Sequence, residues 1–491
     1  MVSTIIRFDN FCQIYDEDNV DLFKALDKHL SFKIQGAEHS KAFKGYINDR
    51  GEEVTWDGRR HIMTSKGRFP AGLLQRVIEF YNKWQVSPEV IDKRSERSSG
   101  APIDIETVLR SMRKEPRDYQ IETANIAVQH DRGIIRSATG SGKSLIAALI
   151  TAKIGKPTII YVIGTDLLYQ FHKFFTSIFG KDVGIIGDGN CDIKDINIAT
   201  VWSVGQALGL KKSVSLDDDD TEEKKIDPLK FSQIKTMLLH TKVHLFDECH
   251  LAACDTIQTI AQNLKAEYVY GMSASPWRDD GADLLIEALL GRRIVDIGAR
   301  ELIKQGWLVE PDIRFLAPPP YSKKGKYQTI YSKYIVEHEA RNQMVVKGAI
   351  KLVEQGFPCL VLFHSIRHGK ILSDLLSKQI PIGLLSGKDP SRVREKVKDD
   401  LETGRINCIV ASKIFDIGVD LPTLSGLVIA GAGKSSVRAL QRIGRVIRPS
   451  PGKTMSAIID FADRAPYLLD HAEARRDIYR QEFDNVSWPQ K

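Results

Sequence analysis

From about residue 103 onward, short apolar runs alternate with longer stretches of helical spacing. The runs Gly133 to Arg136, Pro157 to Ile163, Ile196 to Val201, Val243 to Phe246 and Tyr268 to Pro276 each read as a strand, the first two of the buried type. Between them, Leu145 to Ile150 and Asp166 to Phe179 read as helices. A second cycle follows: strands at Cys359 to Phe363, Ile406 to Ala411 and Gly426 to Ala430, and a helix at Lys370 to Leu376. Strand–helix alternation predicts an α/β fold of two tandem parallel-sheet lobes. Lys211 to Asp227, with Asp217-Asp218-Asp219-Asp220, interrupts the first lobe and reads as a solvated loop. Residues 300–345, with Pro318-Pro319-Pro320 and Lys323-Lys324-Gly325-Lys326, read as a connection.

The first 95 residues break this rhythm. Asn19 to Leu30 places Val20, Phe23, Leu26 and Leu30 at helical spacing. Phe43 to Arg60 is rich in glycine and aromatics, which predicts short strands and turns, and Leu73 to Trp84 reads as a second amphipathic helix. This is a small α+β module. The polar stretch Asp92 to Pro102 reads as a linker, and the tail from Arg464 reads as basic and helical. The expected domains are therefore 1–95, 103–300, 310–465 and a helical tail, 466–491.

Composition adds little beyond this. At 491 residues the chain has room for about three domains of ~150 residues. The net charge of +7 is compatible with nucleic acid. No apolar run approaches the ~20 residues of a membrane span, and the start lacks the apolar core of a signal peptide. Six scattered cysteines without a C-x-x-C read as reduced, cytosolic thiols. The local charge is more telling. Between Lys41 and Arg76 lie eight Lys/Arg against four acids, with Phe43, Tyr46, Trp56 and Phe69 interleaved. Phosphates need cations and unstacked bases need aromatic faces, so Trp56, Arg59 and Arg60 are candidate nucleic-acid contacts.

Three motifs carry chemistry. Ser137-Ala138-Thr139-Gly140-Ser141-Gly142-Lys143-Ser144 joins a strand to a helix. Its glycines let backbone N–H groups face inward around a phosphate, Lys143 reaches the β- and γ-phosphates, and Ser144 can ligate Mg²⁺. Val243-His244-Leu245-Phe246-Asp247-Glu248-Cys249-His250 is an apolar strand ending in two carboxylates, Asp247 for Mg²⁺ and Glu248 for the attacking water. Small hydroxyls at Ser273 and Ser275 end the next strand and can hydrogen-bond these carboxylates, linking ATP state to domain position. The third motif is Gln441-Arg442-Ile443-Gly444-Arg445-Val446-Ile447-Arg448, whose arginines recur every three residues. On a helix they share one side, and a triphosphate is the anion that would hold them together. Gly433-Lys434-Ser435 lacks the spacing for a second phosphate loop.

In order and spacing, Arg117-Asp118-Tyr119-Gln120, Ala138 to Ser144, Thr165 to Gln170, Asp247 to His250, Ser273-Ala274-Ser275-Pro276, Gly418 to Pro422 and Gln441 to Arg448 resemble the motifs of superfamily 2 helicases and translocases. The resemblance implies two RecA-like lobes that bind ATP and Mg²⁺. It implies adenine recognition by Arg117 and Gln120, catalysis by Glu248, arginine fingers at Arg445 and Arg448, and Gly418 and Asp420 near the ribose. It further implies nucleic-acid backbone contacts from Thr165, Gln170 and Thr200. Trp56-Asp57-Gly58-Arg59, Phe69 to Leu74 and Glu339-Ala340-Arg341-Asn342 are similar to the bacteriophage UvsW-type recombination helicases. That likeness implies a 3′–5′ monomeric motor on branched or forked DNA, working in a host cytoplasm beside phage replication or recombination proteins. An RNA helicase, a duplex translocase without strand separation and an ATP-gated clamp remain open alternatives. Replacing the phosphate-loop lysine, Lys143→Ala, is expected to abolish ATP turnover while sparing DNA binding. Near-normal turnover in a steady-state ATPase assay would refute the site assignment.

Overall fold

The computed structural model describes residues 3–489, apart from 16–18, 48–52, 98, 113–114, 211–223, 263, 276–281, 387–388, 390, 413–420, 422, 432 and 434–435. Gly418, Asp420, Pro276, Lys434, Ser435 and the Asp217–Asp220 run lie outside the described residues. The chain divides into two compact units, 1–136 with 143–296, and 137–142 with 297–491.

The first unit opens with a four-stranded sheet, ordered Arg68–Pro70, Phe11–Tyr15, Thr4–Arg7, Glu89–Asp92. The helix Val20–His29 forms because Asn19 caps it, its side chain accepting from Leu22 N at 3.0 Å, and Leu22 and Leu26 face inward. The helix Leu74–Lys83 buries Val77, Phe80 and Tyr81 in the same core. That core continues into Leu284 and Ala288 of the helix Asp283–Leu290. Arg76 bonds Glu287, and Arg292 bonds Glu79. The N-terminal residues are thus seated on the next domain by shared apolar packing.

The main sheet of this unit has eight strands, ordered Asn190–Asp192, Val183–Gly187, Ile196–Thr200, Thr158–Val162, Val243–Asp247, Tyr268–Ser273, Arg132–Ser137 and Arg293–Ile297. Thr158–Val162, Ile196–Thr200 and Val243–Asp247 are buried at every position, which is why they appear as predominantly apolar runs. Lys143–Ile154 is a helix buried along nearly its whole length after Leu145, so it shows no polar stripe.

The second unit holds a seven-stranded sheet in which every neighbouring pair is parallel. Its order is Ile382–Leu385, Cys408–Ala411, Cys359–Leu362, Gly426–Ile429, Met455–Phe461, Glu310–Leu316, Val486–Ser487. Two expectations change here. The stretch read as a connection carries Glu310–Leu316, which pairs along its length with Met455–Phe461. Charged Asp312 and Arg314 alternate with buried Ile313 and Phe315, so the sequence run looked polar. The tail is more than a helix: after Leu468–Glu482 it adds the edge strand Val486–Ser487. Arg475 of that helix is buried and paired with Asp460 at 2.8 and 2.9 Å, and Arg341 is paired with Asp463 at 2.7 and 2.9 Å. Two-pronged geometry of this kind is what a buried guanidinium requires.

Gly72 tests the seating of the N-terminal residues. A Cβ there would lie 2.2 Å from Glu287 O and 2.5 Å from Ala288 O, both backbone atoms. Gly72→Ala is expected to destabilise the protein by about 2–3 kcal/mol in urea unfolding. A wild-type midpoint would mean the seating is loose.

Candidate functional site

The site is built by strand register. Asp247 pairs with Met272, and Ser273 pairs with Arg136, across three adjacent parallel strands. Parallel strands all end at one edge, so Ser137, Asp247 and Ser273 finish side by side. From Ser137 the chain turns through Ala138–Gly142 into the helix that starts at Lys143. Gly140 and Gly142 have φ of +89° and +82°, where a side chain would be strained. Ser137 Oγ donates to Ser141 Oγ at 2.6 Å, bracing the turn from inside. The first residue of the motif thus has a structural use that a glycine there could not supply. Thr139 Oγ1 is buried without a hydrogen-bond partner among the described residues. Lys143 and Ser144 are half-buried in the first helical turn.

Glu248 sits at φ +50°, ψ 52°, left-handed backbone that costs about 1 kcal/mol or more outside glycine. Ser273 Oγ donates to Glu248 Oε2 at 3.3 Å, and His250 Nδ1 lies 3.3 Å from both atoms. Burial alone would raise the Glu248 carboxyl. The Lys143 ammonium, followed by His250 and Ser273, outweighs it and holds that carboxyl below the usual range. Asp247 moves the other way: burial, then the adjacent Glu248 charge, push it up against the pull of Lys143. Among the described residues, Asp247 Oδ1 is buried with no hydrogen-bond partner. An unpartnered buried carboxylate oxygen within the field of Lys143 is a suitable donor for a hard cation. Ser275 Oγ is likewise buried and unpartnered among the described residues, while Ser275 N donates to Ser273 Oγ at 3.2 Å.

Other expected residues sort less simply. Gln120 is 3% exposed, and its Oε1 accepts from Arg117 N at 2.9 Å, closing the first turn of the helix Asp118–Val128. That carboxamide oxygen is used locally. Thr165 opens the helix Thr165–Phe179 and Gln170 is exposed on it. Thr200 ends the neighbouring strand but is 1% exposed, its hydroxyl accepting from Ser203 N as a helix cap. Arg59 departs furthest from the nucleic-acid reading. Its guanidinium bonds Ser31 Oγ and Ser31 O at 2.7 and 2.8 Å, and Trp56 Nε1 donates to Arg59 O. Phe69 is core. Arg60, Phe43 and Tyr46 are exposed. In the second unit the arginine helix is Ser436–Val446, so Arg448 lies beyond its end and the three-residue spacing does not put it on the same helical face. Pro449 explains this, since a residue before proline avoids helical backbone. Gln441 and Arg445 are on the helix, half-buried. The sequence reading left His250 without a role, although its place two residues after Glu248 was visible.

Residues 113–278 match the family model for the type III restriction enzyme res subunit, and residues 342–450 match the helicase conserved C-terminal domain. The chain is 27% identical to the ATP-dependent DNA helicase uvsW of Enterobacteria phage T4, over 98% of each protein. It is 26% identical to a putative DNA 3′-5′ helicase Rad25 of Haloarcula marismortui, covering 73% of this chain and 55% of that one. A fragment of a putative HsdR subunit of a type I restriction enzyme from Vibrio vulnificus shares the fold, with 19% identity, a TM-score of 0.54, and coverage of 89% of this chain and 75% of that one. The two sheets are RecA-like, and the chain is a superfamily 2 helicase. Within that superfamily it is UvsW-like, an ATP-dependent DNA helicase.

The raised Asp247 carboxyl has a consequence for stability. Folding is opposed at pH above its raised value and unopposed once pH falls below its unfolded value of about 4. In nucleotide-free protein, Asp247→Asn is expected to gain about 1–3 kcal/mol in urea unfolding at about pH 8, and nothing at about pH 4. An equal gain at both would show that charge is not the cause.

Proposed function

We propose that this helicase moves 3′–5′ and unwinds and branch-migrates forks, Holliday junctions and displacement loops. The polarity is supported by the relative named as a 3′-5′ DNA helicase. The branched substrate is supported by the N-terminal residues seated on the first sheet's domain, which expose Phe43, Tyr46 and Arg60. In this reading Thr139 to Ser144 cradle the triphosphate and Arg117 with Gln120 serve the adenine side. Asp247 with Ser144 holds Mg²⁺, which neutralises phosphate charge when bound. The observation that carries the site is the aligned trio of strand ends with the unpartnered Asp247 Oδ1. Glu248, kept ionised and aimed by His250 and Ser273, orients the attacking water. Gln441, Arg445 and Arg448 stabilise charge on the transferring phosphoryl group. Ser273 and Ser275 relay nucleotide state, and Gly418 and Asp420 serve the ribose. Thr165 and Gln170 hold the DNA backbone, while Thr200 serves it by fixing the helix after its strand.

A second reading, duplex translocation without strand separation, is favoured by the match of residues 113–278 to a restriction-enzyme subunit. ATP hydrolysis and strand separation, measured on single strand, duplex, fork, four-way junction and RNA, decide between them. The fork and the junction are expected to stimulate most and to be separated. Hydrolysis on plain duplex without separation selects the second reading. RNA stimulating as well as forked DNA contradicts both.

A further inference from the structure

The carboxyl edge of the second sheet carries a cluster of rings that the ATP chemistry does not use. Glu310–Leu316 and Met455–Phe461 run in register to their last pair, Leu316 with Phe461. Their continuations stay together: Ala462 N donates to Leu316 O at 2.8 Å and Tyr321 N to Arg464 O at 2.9 Å. This brings Tyr327 to within 6.3 Å of Tyr467, 5.6 Å of His471 and 5.9 Å of Tyr331, centroid to centroid. Tyr331 in turn meets His364 at 5.9 Å. Beneath them Ile330, Tyr334, Ile335, Ala465 and Leu468 form a small separate core, so the rings stand on a rigid base.

Three features of this base are costly for a merely structural corner. Tyr467 holds φ +66°, a strained value for an aromatic residue. Tyr331–Val336 is a π-helix, a form that is rare and gathers at functional sites. The Tyr331 hydroxyl is buried without a hydrogen-bond partner among the described residues. The outer rings nevertheless face solvent, with Tyr327 37% and Tyr467 50% exposed. Immediately before Tyr327 come Lys323, Lys324 and Lys326, all exposed.

We propose that Tyr327 and Tyr467 form a stacking platform for unpaired bases of single-stranded DNA, with Lys323, Lys324 and Lys326 meeting its phosphates. The charge selects a polyanion, and the exposed aromatic rings favour one with unstacked bases over a paired duplex. The inference rests on the reading of the chain as a DNA motor and gives that motor a contact on its second sheet.

The test uses the full chain and a labelled oligothymidylate, with oligouridylate as a parallel arm. Tyr467→Gly removes the ring while keeping a backbone that glycine adopts freely, so its unfolding temperature is expected to be no lower than wild type. Tyr467→Gly and Tyr327→Ala are each expected to weaken oligothymidylate binding about tenfold. Tyr467→Phe is expected to restore it, and the triple lysine-to-alanine variant to flatten its salt dependence. Wild-type affinity in both ring variants overturns the platform, as does a loss confined to oligouridylate. Oligothymidylate has no branch, so a wild-type protein without fork preference would refute the branched-substrate reading and leave the platform standing.

Discussion

The register of three parallel strands is the constraint on which the nucleotide chemistry depends. Asp247 opposite Met272 and Ser273 opposite Arg136 fix where the phosphate turn, the carboxylates and the hydroxyl emerge. A slip of one residue would send each of these side chains to the other face of the sheet. The register is held by strands buried on both faces, where a polar residue at the wrong position would be left without water or partner. The apolar core is therefore part of the catalytic geometry.

What the core fixes, electrostatics then differentiates. Asp247 and Glu248 are adjacent, yet their surroundings drive their carboxyls in opposite directions. Glu248 has His250, Ser273 and the field of Lys143, and stays ionised. Asp247 has burial and a like charge beside it, and keeps an unpartnered oxygen. Two neighbouring carboxylates made unlike by environment are what a site needs when one acid is to hold a cation and the other a water. The left-handed backbone at Glu248 is a strain cost borne at that point.

Much of this was legible in the chain. Strands buried on both faces announce themselves as apolar runs, and the phosphate turn has few alternatives once its glycines, lysine and flanking elements are in place. Other features depended on partners far away in sequence. Glu310–Leu316 reads as a polar connection until Met455–Phe461 is beside it. Arg59 reads as a free cation until Ser31 takes its guanidinium. Gln120 and Thr200 have the residue types of ligand contacts and also of helix caps, and the hydrogen bonds decide the local use. Arg448 falls past the end of its helix for a reason the sequence contains, the proline that follows it. The Tyr327–Tyr467 pairing had no local signal, since it joins segments about 140 residues apart that strand register and a shared small core bring together.

The central claim is that the Ser273 hydroxyl, bonded to Glu248, ties hydrolysis to movement on DNA. It is tested most directly by the number of ATP molecules hydrolysed per base pair separated, compared between wild type and Ser273→Ala on one forked substrate. The account predicts that hydrolysis persists while separation falls, so the ratio rises severalfold. An unchanged ratio, with both rates falling together, would contradict it and reduce Ser273 to a support for Glu248.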